Sequence, residues 1–342
     1  MKVFSPLFLA MSLLTIANAP AKDWVTYEGK TGPGEGKHIV FLAGDEEYRS
    51  EEGLPMLAKI LSQRHGFKCT VLFSINKVGL IDPNTKDNQP GIEALDTADL
   101  CVILLRFREW PDAQMKHFVD YYLAGKPFIA LRTSTHAFAY GKDSTSPYAK
   151  FGMKSSEWKG GFGRQVLGET WLDHWGNHKF EATRGVVEAA VKDHAILRGV
   201  EDIFGNSDVY EAHPPTDVTV LVRGQVLKGM KSDDAPADYW RKTRTGIEQG
   251  VNDPMQPIVW VREYKNESGK VNKIVTTTMG SSTDLQSEGL RRLLVNAAYW
   301  TVGLESKIPA KANVDYIGEF QPLMYGFDGG KKGMTPADFE LK

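Results

Sequence analysis

The sequence predicts an α/β fold: a three-layer sandwich whose mainly parallel, doubly wound sheet is covered on both faces by helices and carries long inserted loops. Short apolar runs recur at residues 38–43 (HIVFLA), 67–73, 100–107 (LCVILLRF) and 127–132 (PFIALR), as strands buried on both faces do. Segments with apolar residues at helical spacing lie between them. Strand alternating with helix implies right-handed crossovers, and therefore parallel neighbours.

Each element has its own signal. Lys2, an apolar run over 3–16 and the small residues Ala17, Ala19 and Ala21 make residues 1–21 a secretory signal peptide. The run is too short to cross a hydrocarbon layer of roughly 30 Å, so no membrane span is expected in the mature chain. The protein is expected to be exported, periplasmic or extracellular. Residues 22–36 form an N-terminal extension, 37–303 the α/β domain, and 304–342 an extended tail rich in Pro and Gly. A helix is expected over 51–65, with Leu54, Leu57, Ala58 and Leu61 on one face and Gly66 as its stop. Pro111 opens the next, which carries Met115, Phe118, Val119 and Tyr122 and closes at Gly125. Later strands are expected at 218–223, 257–264 and 273–278, and a last helix over 287–302. The polar segment 232–252 is placed outside the sheet.

Composition removes several functions. Lys and Arg number 41 against 43 Asp and Glu, a net charge of −2, so no basic excess exists to bind nucleic acid. Eight Trp, 12 Tyr and 16 Phe supply a core and argue against disorder. Cys69 and Cys101 fall in strands that the first strand separates if the order is 2-1-3. They would then lie on the order of 9–10 Å apart, beyond disulfide reach, as two free thiols. Gly160-Gly-Phe-Gly163 lacks the Lys and Ser/Thr of a phosphate loop, so no nucleotide is expected.

Ligands of open parallel sheets bind beyond the carboxyl ends of the strands, and the candidates are sought there. The first strand ends in Gly44-Asp45-Glu46-Glu47-Tyr48-Arg49. This reads either as a solvated turn capped by Asp45 or Ser50, or as a site. In the second case one carboxylate, Asp45 foremost with Glu46 beside it, acts as base or hydroxyl-binding group. Arg106 at the end of the third strand is a counter-ion to these acids or an anion clamp. The fourth runs through Arg132 to His136. Residues after the first and fourth strands stand about 10 Å apart across the third, which admits one sugar-sized ring. Neither cysteine lies near this turn, which excludes thiol chemistry, and Ser134 lacks the G-x-S-x-G context.

Further candidates follow in the second half. His174 and His178 are four apart, but Gly176 and Asn177 break helices and no H-E-x-x-H pattern is present. A divalent metal at His174/His178 is therefore the lesser reading, and no cofactor or metal is expected. Trp171 and Trp175 either stack on sugar rings or fill the core. Glu211 and His213 share one face of an extended segment and can form an acid–histidine pair, catalytic or structural. Asp284 follows the last strong strand.

Several phrases together resemble the ThuA-like (trehalose utilisation) family in its exported bacterial form. They are KHIVFLAGDEEYRSEEGLPMLAKIL, the His136 turn, HWGNH, DHAILRGVEDIFGNSDVYE, and VTTTMGSSTDL followed by LRRLLVNAAYWTVGLE. The resemblance covers about 37–318. It implies a flavodoxin-like fold of the class I glutamine amidotransferase-like superfamily with the thiol nucleophile replaced. It also implies catabolism of trehalose and related sugars, through keto-sugars made by partner sugar dehydrogenases. Carried over by position, the implied site is Asp45, Arg106, His136, His174, Glu211 and His213. Arg132 departs from the Gly-hydrophobic-His stretch expected of relatives. The function expected is acid–base hydrolysis, elimination or isomerisation of a keto-disaccharide or glycoside. Asp45 or Glu211 would take a proton, His136 shuttle it, and Arg106 or His174 stabilise the oxyanion. Glu46, Arg132, Trp171, Trp175 and Asp284 complete the substrate-binding set. A non-catalytic sugar-binding protein using the same cleft is the alternative.

Overall fold

The computed structural model describes Met1 and residues 22–341, so the expected signal peptide lies, but for Met1, outside the described residues. Strands β1 (Trp24–Tyr27), β2 (His38–Gly44), β3 (Lys68–Phe73), β4 (Leu100–Leu105) and β5 (Phe128–Leu131) make the first half, with helices α1 (Ser50–His65) and α2 (Asp112–Leu123) between them. The second half adds β6 (Thr183–Val187), β7 (Phe204–Gly205), β8 (Val218–Val226), β9 (Trp240–Lys242), β10 (Glu248–Gly250), β11 (Gln256–Lys265) and β12 (Val271–Thr277), then α3 (Glu288–Thr301). Ten strands form one sheet in the order β1-β3-β2-β4-β5-β12-β11-β8-β6-β7.

Alternation along the buried strands divides the core. Ile39, Phe41 and Ala43 of β2 face one apolar cluster, shared with α1 and α3, while Val40 and Leu42 face the other, shared with α2. Such two-sided burial explains why these strands read as unbroken apolar runs. Gly66, at φ 82°, ends α1 in the left-handed conformation that costs glycine least. Ser287 caps α3 by accepting the Leu290 N–H at 3.3 Å. Cys69 and Cys101 sit on the two flanks of β2, opposite Ile39 and Val40, and enter different core clusters. Both are free thiols.

The sheet is mixed rather than parallel throughout. Neighbours from β3 through β2, β4 and β5 to β12 are parallel. From β12 outward through β11, β8, β6 and β7 they are antiparallel. The connection explains the change. A short turn at Asn266–Lys270 joins β11 to β12, with the Asn266 N–H on the Lys270 carbonyl at 2.8 Å. No helix crosses over, and a hairpin makes its strands antiparallel. The expected N-terminal extension contributes β1, an antiparallel edge on β3. The polar segment forms the separate β9–β10 hairpin. Among the described residues no helix is long and apolar enough to cross a membrane.

Candidate active site

The carboxyl ends of β2, β4 and β5 open onto a cleft of about 240 Å³, lined by Glu47, Arg106, Phe107, His136, Trp171, His174, His178, Lys179, Tyr210 and Phe327. A wider groove of about 630 Å³ lies over residues 75–78 and 84–88. It contains neither histidine nor tryptophan, so chemistry rather than size selects the strand-end cleft.

After β2 the chain turns sharply, and Asp45 holds the turn together. Its Oδ1 accepts the N–H groups of Glu47 (2.7 Å) and Tyr48 (2.6 Å), and its Oδ2 accepts the Thr133 hydroxyl. Burial raises this carboxyl above its ordinary value, against those hydrogen bonds. Asp45 lies beneath the cleft and does not line it. The next acid pairs with arginines: Glu46 accepts Arg106 Nη1 at 2.6 Å and Arg108 Nη2 at 2.8 Å. Glu47 is the acid of this loop that lines the cleft, with Oε1 3.3 Å from His178 Nε2. Burial pushes the Glu47 carboxyl up, but the His178 hydrogen bond and the Arg106 charge more than offset it, leaving it below its usual range.

Arg106 is anchored by Glu46 at one end, while its guanidinium lies 4.5 Å from the Phe107 ring centroid and 5.0 Å from that of Phe327. It stands at the cleft wall as a held cation with aromatic faces on both sides.

The turn after β5 presents His136. Arg132 opens this turn at φ 44° and is completely buried. It donates to the carbonyls of Asp208 (2.6 Å) and Thr278 (2.7 Å), to Tyr48 Oη (3.2 Å) and to Asp208 Oδ1 (2.8 Å). Arg132 therefore braces the floor from below and does not line the cleft. Ser134 is equally committed: its hydroxyl donates to the Ile103 carbonyl at 3.0 Å and accepts the Leu105 N–H at 3.2 Å. His136 emerges between Phe107 and Trp171, with ring centroids 5.0 and 5.7 Å away. Burial, then the charges of Arg106, Arg132 and His174, hold its imidazole well below its ordinary pKa, so it is neutral at physiological pH. Gly163 passes close behind: a Cβ there would meet the Thr135 carbonyl oxygen at 1.9 Å.

Opposite His136 stands a carboxylate with two imidazoles. Asp208 is completely buried, and its Oδ2 accepts His174 Nδ1 at 2.8 Å while its Oδ1 accepts His178 Nδ1 at 2.9 Å. Burial raises the Asp208 carboxyl, but Arg132 and the two imidazoles reverse this and hold it far below the ordinary range. His178, between Asp208 and Glu47, is lifted to about 9 in spite of its burial. The 174–178 turn is not helical. Instead Trp175 and Gly176 donate to the Val209 carbonyl at 2.7 and 3.1 Å, which seats the turn beside Asp208.

The cleft thus gathers Arg106, Trp171, His136 and His174 from the expected set. Other members lie elsewhere. Glu211 and His213 do form a pair, at 2.8 Å, but Glu211 spends its oxygens on the Arg244 N–H near the β9–β10 hairpin, outside the cleft lining. Trp175 is fully buried, its Nε1 on the Val251 carbonyl at 2.8 Å. Asp284 is buried under the Ser207 N–H and the Gly280 and Ser281 N–H groups. Sequence reasoning passed over Glu47, Phe107, Lys179, Asp208, Tyr210 and Phe327. The signal for Asp208 and Tyr210 was their shared face in 208–213; Phe327 carried none. Among the described residues, left-handed φ at a non-glycine occurs at Arg49, Phe107, Arg132, Lys179, Asp202 and Asp328. Phe107 and Lys179 line the cleft and Arg132 underlies it, a concentration of backbone strain typical of functional sites.

No protein-family model matches the chain, and no curated protein matches it. Among solved structures it is similar to a ThuA-like protein of Parabacteroides merdae, at 13% identity and TM-score 0.48 over 78% of this chain and 90% of that one. It is also similar to a ThuA-like protein of Bacteroides uniformis, at 16% identity and TM-score 0.46 over 83% of this chain and 95% of that one.

Proposed function

We propose that the chain is an exported ThuA-like protein with a flavodoxin-like core that acts on an oxidised sugar by acid–base chemistry in the strand-end cleft. The observation that carries this reading is His136. A neutral imidazole, walled by Phe107 and Trp171, faces two further imidazoles and the Arg106 cation across a cleft with room for one ring. Phe107, Trp171 and Phe327 offer apolar faces for the carbon face of a sugar. His136 takes the proton from the carbon beside a keto group, and the oxygen that becomes negative faces Arg106 and the His174 edge. The enediolate then either expels the glycosidic oxygen from the next carbon, which is elimination, or is reprotonated on the other carbon, which is isomerisation; addition of water to the eliminated product completes a net hydrolysis. The substrate class is a keto-disaccharide or glycoside, supplied by sugar dehydrogenases.

His136→Ala tests the reading. Turnover of a keto-disaccharide falls by roughly 10²–10⁴-fold, the usual worth of a positioned acid–base group. Stabilisation of the protein by the same ligand, read as a shift in melting temperature, largely survives. A wild-type protein that binds oxidised and native disaccharides but turns over none of a broad panel is a sugar-binding protein instead.

A further inference from the structure

We propose that His174, His178 and Asp208 hold a divalent first-row metal ion, zinc by the chemistry of its donors, on the floor of the cleft. One ligand atom from each of the three lies within 4.8 Å of the other two. The two oxygens of one buried carboxylate face two different imidazoles, at 2.8 and 2.9 Å. Tetrahedral ligands sharing one ion at about 2.0–2.2 Å stand about 3.4 Å apart, a spacing inside the span these donors already occupy. Two imidazoles and a carboxylate suit a borderline ion, whereas Mg²⁺ and Ca²⁺ prefer oxygen alone.

The surroundings are those of a metal ligand set. His178 turns its second ring nitrogen to Glu47 Oε1 at 3.3 Å, the outer carboxylate that orients a ligating histidine. Arg132 fixes Asp208 from below through both its carbonyl and its carboxylate. Asp208 and Glu47 place two carboxylates beside the imidazoles, one bonded directly to both rings and one to His178 alone. Asp208 is sealed, while the His174 and His178 side chains are 32% and 23% exposed, so the open coordination positions face the cleft. There the ion would polarise the keto oxygen of the substrate. That role rests on the proposed function, but the binding of the ion does not.

The test uses no sugar, so its failure is separate from failure of the catalytic reading. Full-length mature protein is stripped with a chelator and titrated with ZnCl₂, followed by calorimetry, elemental analysis and melting temperature. One zinc per chain is expected, bound at micromolar concentration or tighter, with a rise in melting temperature. His174→Ala and His178→Ala each weaken binding by at least about tenfold. His117→Ala, which removes a half-buried imidazole paired with Asp96 far along the chain from these ligands, leaves it unchanged. Should an alanine variant unfold, Co²⁺ titration of the wild type followed by its visible d–d absorption carries the same test. Less than one zinc per chain at tens of micromolar, absent d–d bands on Co²⁺ addition, or equal affinity in folded His174→Ala and His178→Ala proteins overturns the proposal.

Discussion

At the scale of single residues, two buried basic side chains do different work. His136 is held neutral by burial and by the arginines around it, so its folded pKa lies below the unfolded one. If it is the base, activity depends on the neutral imidazole, and the acid limb of the kcat/KM profile falls well below pH 6.5, the unperturbed histidine value. A limb at or above that value would remove His136 from the role. Arg132 is a brace: its guanidinium lies 3.6 Å from the Tyr210 ring centroid and neutralises Asp208 with no solvent contact. Arg132→Met takes the fully buried cation from that carboxylate and leaves it to the two imidazoles, and unfolding should be easier by up to about 3–5 kcal/mol, read by denaturant melts. That an arginine ended a buried strand was legible at the outset. Whether it faced the substrate or the floor was not, because its partner Asp208 is 76 residues away in sequence.

At the scale of elements, the first turn of α1 stores a cost that pH reveals. Glu51 is buried at the helix start with Oε2 unpartnered, and burial lifts its pKa from 4.5 to about 8. An acid raised in the folded state binds a proton that the unfolded chain releases. Its contribution is therefore intact below about pH 4.5 and is lost progressively as pH rises towards 8. Glu51→Gln removes that loss. The variant should be more stable than wild type at pH 8, by an amount on the order of 4 kcal/mol, and match it near pH 4.5. Equal pH dependence in the two proteins would refute the assignment. The Gly163 turn makes a second prediction. A methyl group aimed at the Thr135 carbonyl must displace the backbone that presents His136, so Gly163→Ala should lower both stability and ligand affinity.

At the scale of the molecule, what could be read ahead followed the range of the interactions. The strands β2 to β5 and all three helices are local patterns, and runs of apolar residues buried on both faces announce themselves. The antiparallel half was half-hidden, since a strand's direction depends on its connection more than on its own residues. The cleft was legible as a place, because the strand order fixes where chemistry collects. Its membership was not, because Asp208, Tyr210 and Phe327 arrive from loops whose course no local spacing encodes. The tail is the extreme case. It returns across the site end of the sheet, donating the Gly326 N–H to the Glu47 carbonyl at 2.8 Å and the Leu323 N–H to Glu52 at 2.8 Å. Tyr325 stacks on Tyr48 at 5.1 Å, Phe339 stacks on Phe73 at 5.2 Å, and Phe327 closes the wall over Arg106. Each aromatic pair is worth about 0.5–1.5 kcal/mol beyond its buried area. A chain ending at Phe320 therefore loses stability and one wall of the cleft together. Its melting temperature should fall by several degrees, and sugar-induced stabilisation should shrink even below that lower melting temperature, where the protein is still folded. Phe327→Ala in the full chain separates the two effects: it should reproduce the loss of ligand response while leaving most of the stability in place. If truncation and Phe327→Ala both leave the ligand response intact, the tail is a structural strap and forms no part of the site.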